Sequence, residues 1–134
     1  MHIVEKEQYK VACHIDRTDL KLRGVTMDDL INRTPLGNLF IRDAANLARE
    51  STDYDWYGYG MTMQMDIFET EIVLYFSERL EDYIYNLKQS ANALDEKQAE
   101  DVMQLVKLIE DQQDEAEARK IIKSFEENVK AMKE

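Results

Sequence analysis

Apolar and polar side chains alternate along residues 9–15, where Tyr9, Val11, Cys13 and Ile15 interleave with Lys10, Ala12, His14 and Asp16. A period of two predicts a strand with one face inward and one toward water. Residues 2–6 predict a shorter strand before it, joined through a tight turn at Glu7-Gln8 that no glycine supports. Farther on, Met61, Met63, Met65 and Ile67 alternate with Thr62, Gln64, Asp66 and Phe68. After a turn at Glu69-Thr70-Glu71 comes the unbroken apolar run Ile72-Val73-Leu74-Tyr75-Phe76. A continuous run suits a strand covered on both faces, so this one is expected at the centre of a sheet, in a hairpin with the strand before it.

Between the two strand pairs the period changes. Thr18 or Asp19 can cap a single helical turn that Gly24 closes in a left-handed conformation. Thr26 and Asp29 have capping-box spacing for a second turn, with Asp28 and Asp29 where a helix dipole favours negative charge. Thr34-Pro35 is the clearest start: Thr34 as N-cap and Pro35 as first helical residue. Leu36, Leu39, Phe40, Ala44, Leu47 and Ala48 then form one apolar face, predicting a helix to about Glu50. From Ser77 onward there is neither glycine nor proline. Stripes at Leu80, Ile84, Leu87, Ala91 and Leu94, at Ala99, Val102, Val106 and Ile109, and at Ala118, Ile121, Ile122, Phe125, Val129 and Met132 predict two or three helices. Asp95 and Asp114 mark the starts of the second and third.

These elements predict an α+β fold: a small antiparallel sheet in the order β-β-α-α-β-β, followed by a C-terminal helical extension. Two parts are expected, residues 1–79 as the α+β domain and 80–134 as the amphipathic extension.

Charge narrows the possible functions. Among the 134 residues 28 are acidic and 17 basic, a net charge of −11. The excess is shared, with 14 acidic and 9 basic residues up to Arg79, then 14 and 8 after it. No basic stripe offsets it, which argues against nucleic acid and anionic membrane as partners. The first residues turn charged at once and no apolar run approaches the roughly 20 residues of a membrane span, so a cytoplasmic location is expected. A lone cysteine, Cys13, permits no internal disulfide.

Reactive chemistry finds little support. Cys13 and His14 are strand neighbours, so their side chains point to opposite faces and cannot share a metal or pair as nucleophile and base. Asp28-Asp29 and Asp95-Glu96 diverge by about 100° on a helix, which suits capping and not paired acid catalysis. Gly58-Tyr59-Gly60 lacks the third glycine and following helix of a phosphate loop. No enzymatic activity, cofactor or metal is expected. The feature that does suggest function is the loop 51–60, where Tyr54, Trp56, Tyr57 and Tyr59 sit among Gly, Asp and Ser. Tyr and Trp offer large contact area at low entropic cost and are enriched at binding hot spots; the plainer alternative is that some fold back over the sheet end. The Met61, Met63 and Met65 stripe is read as core, with an adaptable peptide surface as the other use of methionine.

The stretch Asp19-Leu20-Lys21-Leu22-Arg23-Gly24-Val25-Thr26-Met27-Asp28-Asp29-Leu30 resembles a segment of MecA-type protease adaptors: an Asp-Leu, an Arg-Gly pair a few residues on, then an acidic and a large apolar residue. The flanking strands, the helix from Thr34, the acidic-aromatic loop and a closing strand ending at Ser77-Glu78 follow in the same order, so the resemblance covers about residues 1–80. It implies a domain that holds substrate or regulatory proteins for Clp-type regulated proteolysis, with a Clp AAA+ unfoldase as second partner. Arg23 of the Arg-Gly pair joins Tyr54, Trp56, Tyr57 and Tyr59 as candidate contact residues. In that family a separate C-terminal α/β domain engages the unfoldase; here only helical pattern follows Glu78, so that engagement is in question. The unplaced apolar stripes allow an alternative, a regulatory protein whose C-terminal helices form a homodimer. A third possibility, a small enzyme, requires a pocket with converging polar groups.

Overall fold

A computed structural model describes residues 1–53 and 55–133, with Tyr54 and Glu134 outside them. The order is β1 (His2–Glu7), β2 (Lys10–Asp16), α1 (Arg17–Arg23), α2 (Met27–Ile31), α3 (Pro35–Glu50), β3 (Thr62–Ile67), β4 (Glu71–Ser77), α4 (Leu80–Ala91), α5 (Glu96–Glu110) and α6 (Glu115–Lys133). The fold is α+β, as the sequence pattern predicts. Both short capped turns are helices in their own right, so three helices stand between the strand pairs where two were expected.

The chain forms two compact units, one of Met1–Trp56 with Met63–Ser77, the other of Tyr57–Thr62 with Glu78–Glu134. The first unit holds all but Thr62 of the four-stranded antiparallel sheet, ordered β1-β2-β4-β3, with β4 inside as expected. Val11 lies opposite Phe76, Cys13 opposite Leu74 and Ile15 opposite Ile72. All six are buried, on the face where α1 and α3 pack against β2. Leu20, Val25, Leu30, Phe40, Ala44 and Ala48 complete this core.

Local chemistry sets the helix ends. Asp16, not Thr18 or Asp19, is the N-cap of α1. Its carboxylate accepts from Asp19 N–H at 2.8 Å while Asp19 accepts from Asp16 N–H at 3.1 Å. Gly24 ends α1 at φ 68°, a conformation open to glycine at little cost. Thr26 and Asp29 form the predicted capping box of α2, and Thr34 accepts from Gly37 N–H at the start of α3. The buried side of α3 is Gly37, Phe40, Ile41, Ala44, Ala45 and Ala48, whereas Leu36, Leu39 and Leu47 of the expected stripe stand exposed. The turn between β1 and β2 is Gln8-Tyr9, with Tyr9 at φ 65° in place of the missing glycine.

The second unit packs Tyr83 of α4, Ile109 of α5, and Ala118 and Ile122 of α6 into one cluster, with Tyr59, Leu80, Ile84, Leu87, Leu105 and Ile121 against it. Asp95 caps α5 through Gln98 N–H at 2.8 Å. Asp114 accepts from Ala116 N–H at 2.8 Å as α6 begins. Among the described residues no helix is long and apolar enough to cross a membrane.

Candidate functional site

Two carboxylates of the second unit fix the main chain of residues 57–60 in the aromatic loop. Glu78 follows β4 directly and is 0% exposed. Its carboxylate accepts from Tyr57 N–H at 2.6 Å and from Gly58 N–H at 3.2 Å. Charge-assisted bonds of this kind are short and strong. Two residues on, Gly60 N–H lies 3.0 and 3.1 Å from the two carboxylate oxygens of Glu126 on α6. Burial, with Glu126 adding its negative charge and a hydrogen bond, pushes the Tyr83 phenol above its ordinary range. Arg119, also buried, sets its guanidinium 3.7 Å from the Tyr57 ring centre and bonds Glu115 at 2.9 Å. A desolvated cation over an aromatic face is an attractive contact. The Tyr57 and Tyr59 rings lie 5.9 Å apart; Tyr59 enters the helical core while Tyr57 keeps part of its ring exposed.

Trp56 belongs to the first unit and is half-buried there. Its Nε1–H donates to Thr52 Oγ1 at 2.8 Å, and Thr52 donates in turn to the Arg49 carbonyl at 2.9 Å. Tyr9 meets the indole edge-on at 5.7 Å, a favoured aromatic geometry. Arg23, at the end of α1, donates to Asp43 of α3 at 2.7 Å and lies 5.4 Å over the Phe40 ring. Of the predicted contact residues, then, Tyr57 and Tyr59 are brought together, Trp56 pairs with Tyr9, Arg23 stands with Asp43, and Tyr54 falls outside the described residues. Sequence reading missed Glu78, Arg119, Glu126 and Tyr9. Only Tyr9 left a local signal, a turn position without glycine.

The Asp-Leu and Arg-Gly segment acquires a structural meaning. Asp19 completes the α1 capping box, Leu20 is buried, Gly24 is the left-handed cap, and Val25 N–H reaches back to the Leu20 carbonyl at 3.0 Å. Over residues 1–134 the sequence matches a known family, described as MecA, negative regulator of genetic competence. The chain belongs to the MecA family. The matched span takes in the helices beyond Arg79 as well as the stretch before it. No curated protein matches the chain. Members of the MecA family are adaptor and regulatory proteins.

Within this MecA-family fold the lone thiol is packed into the sheet. Cys13 is wholly buried, and burial pushes its thiol up to about 11, so it is protonated at neutral pH and a poor nucleophile. His14 lies 3.4 Å from Glu71 and its ring centre is 6.1 Å from that of His2. Among the described residues no group of three or more His, Cys, Asp or Glu side chains converges as a metal site would require.

Proposed function

We propose that this chain is a protein-binding adaptor-like domain that recognises substrate or regulatory proteins in Clp-linked regulated proteolysis, acting in the cytoplasm and catalysing nothing itself. Residues 1–79 supply the recognition side chains, Tyr54, Trp56, Tyr57, Tyr59 and Arg23, and Glu78 with Glu126 of α6 holds the main chain of residues 57–60. The carrying observation is the clamp of Glu78 on the Tyr57 and Gly58 N–H groups, with Arg119 against the Tyr57 ring. An aromatic side chain whose backbone is already fixed loses little entropy on binding, and preorganisation of this kind converts contact area into affinity. The test is capture of proteins from a host lysate on the immobilised chain. Specific proteins should be retained by the parent chain and lost from Trp56→Ala and Tyr57→Ala variants. Equal recovery on all three would count against the loop.

A second reading is supported by the apolar side chains that α4, α5 and α6 leave exposed: Tyr85, Met103, Leu108 and Met132. They suit a homodimer formed through the helices, a regulatory protein with no protease link. Light scattering over a concentration series checks it, since a Leu108→Lys variant should dissociate such a dimer and a parent chain that stays monomeric removes the idea.

A further inference from the structure

The two edges of the sheet are built differently. β1 carries the consecutive charges Glu5, Lys6 and Glu7, and its ladder with β2 slips between Glu5 and Glu7. Charges and a bulge are the usual means by which an edge strand avoids pairing with another chain. β3, at the opposite edge, reads Thr-Met-Gln-Met-Asp-Ile, with a single charge and no proline.

The turn that follows β3 settles which of its main-chain groups face outward. Phe68 N–H donates to the Glu71 carbonyl at 2.8 Å across the two-residue turn Glu69-Thr70. In an antiparallel ladder hydrogen-bonded and non-hydrogen-bonded positions alternate. Counting back from Phe68, Asp66, Gln64 and Thr62 direct N–H and C=O toward β4. Ile67, Met65 and Met63 direct theirs away from the sheet. The same count sets Ile67 opposite Ile72, so the side chains of Met63, Met65 and Ile67 continue the apolar face of Ile72, Leu74 and Phe76. They are incompletely covered: Met63 and Met65 are half-buried and Ile67 is 51% exposed. β3 thus presents a row of main-chain donors and acceptors beside a shelf of flexible apolar side chains.

Charge identifies the occupant. The hairpin Thr62–Ser77 carries Asp66, Glu69 and Glu71 and neither lysine nor arginine. Glu71 is met by His14, and Arg17 bonds the Glu69 carbonyl at 3.1 Å. Asp66 receives the Gln64 amide at 3.3 Å and, among the described residues, no cation. A second copy of this chain would bring another −11 of charge to the edge, which disfavours self-pairing. We infer that the open edge of β3 takes an extended segment of a partner protein as a fifth strand, apolar at the positions beside Met63, Met65 and Ile67 and cationic at the positions between. Main-chain hydrogen bonds supply affinity in such strand addition, and alternate side chains supply selectivity. The residues invoked are not those of the aromatic loop, and the success or failure of this inference leaves the loop reading standing.

The probe is a soluble peptide of about ten residues, strand length, alternating valine and lysine, with a form N-methylated along one edge and a form with glutamate for lysine. Amide hydrogen exchange on the full chain is the readout. The valine–lysine peptide should slow exchange at Met63, Met65 and Ile67 by roughly tenfold or more, as new ladder bonds would. The N-methylated and glutamate peptides should not. A Met65→Pro variant removes one outward N–H while sparing the ladder to β4, a position where proline is tolerated, and should lose binding. Asp66→Lys, which leaves the main chain alone, should weaken the valine–lysine peptide by roughly tenfold and admit the glutamate one. Trp56→Ala and Tyr57→Ala should bind as the parent does. Several results would overturn the inference: no binding, protection elsewhere than β3, equal binding by the N-methylated peptide, unchanged affinity in Asp66→Lys, or concentration-dependent protection of β3 without peptide.

Discussion

Glu78 accepts a 2.6 Å hydrogen bond from the main-chain N–H of Tyr57, and it does so with no exposure to solvent. The second bond, from Gly58 N–H at 3.2 Å, makes the pair a bidentate grip on the loop. Glu78→Gln keeps one acceptor and should cost about 1–2 kcal/mol. Glu78→Ala removes both acceptors and should cost about 3 kcal/mol, the upper part of the range for bonds to charged groups. Urea unfolding gives the energies. Exchange at the Tyr57 and Gly58 amides should accelerate in both variants, and a loop that stays protected in Glu78→Ala would show that other contacts hold it.

Gly37 tests a packing constraint that opposes local propensity. A Cβ at this position would fall on the Asp29 carbonyl, main chain of α2 that cannot rotate aside. Helix propensity alone favours alanine over glycine by about 1 kcal/mol. Overpacking a fixed neighbour costs about 1–3 kcal/mol, and here the obstacle is backbone. Gly37→Ala should therefore lower the thermal midpoint. A midpoint that rises would mean that α2 and α3 separate freely.

That contact also explains which parts of the fold could be read in advance. Thr34-Pro35 announced α3 because the N-cap and a first-turn proline act within three residues of one another. The rotation of α3 was not readable in the same way. The close approach at Gly37 turns Gly37, Ile41 and Ala45 inward and leaves Leu36, Leu39 and Leu47 outside, so the largest apolar residues do not mark the buried face. At α1, Asp16 and Asp19 both have capping side chains, and the end of β2 decided between them. Ala12 shares the predicted outer face of β2 yet is buried, because Val4 of β1 and Tyr75 of β4 flank it. The loop aromatics stood out by residue type. Their anchors did not, since Glu78 is 21 residues from Tyr57 and Glu126 is 66 from Gly60.

Asp29 gives a pH dependence of known sign. The Thr26 main-chain N–H at 2.9 Å, then the Thr34 hydroxyl at 2.8 Å, then the Thr26 hydroxyl at 3.0 Å hold its carboxyl below the ordinary aspartate range. A carboxylate whose folded pKa is depressed stabilises the fold above its unfolded value, about 3.9. That contribution fades as pH falls through the depressed value. The difference in thermal midpoint between the parent and Asp29→Asn should be constant from neutral pH down to about 5 and shrink below about 4. A difference that persists unchanged in acid would mean that the lost contacts are not those of the ionised form.

Tyr9 combines backbone strain with a useful ring. It holds φ 65° in the β1–β2 turn, and its ring meets Trp56 edge-on. A non-glycine residue in the left-handed region costs about 1 kcal/mol, and an aromatic pair contributes about 0.5–1.5 kcal/mol beyond burial. Tyr9→Ala keeps the strain and loses the ring, so it should be the most destabilised variant at this position. Tyr9→Gly loses the same ring but relieves the strain, and should recover about 1 kcal/mol relative to alanine although it has less to pack. Denaturant unfolding followed by Trp56 fluorescence measures both, Trp56 being the sole tryptophan. Its emission should shift to longer wavelength in the two folded variants alike, since each uncovers the indole edge. If glycine proves no better than alanine, the turn is relaxed and the ring contact alone fixes Tyr9.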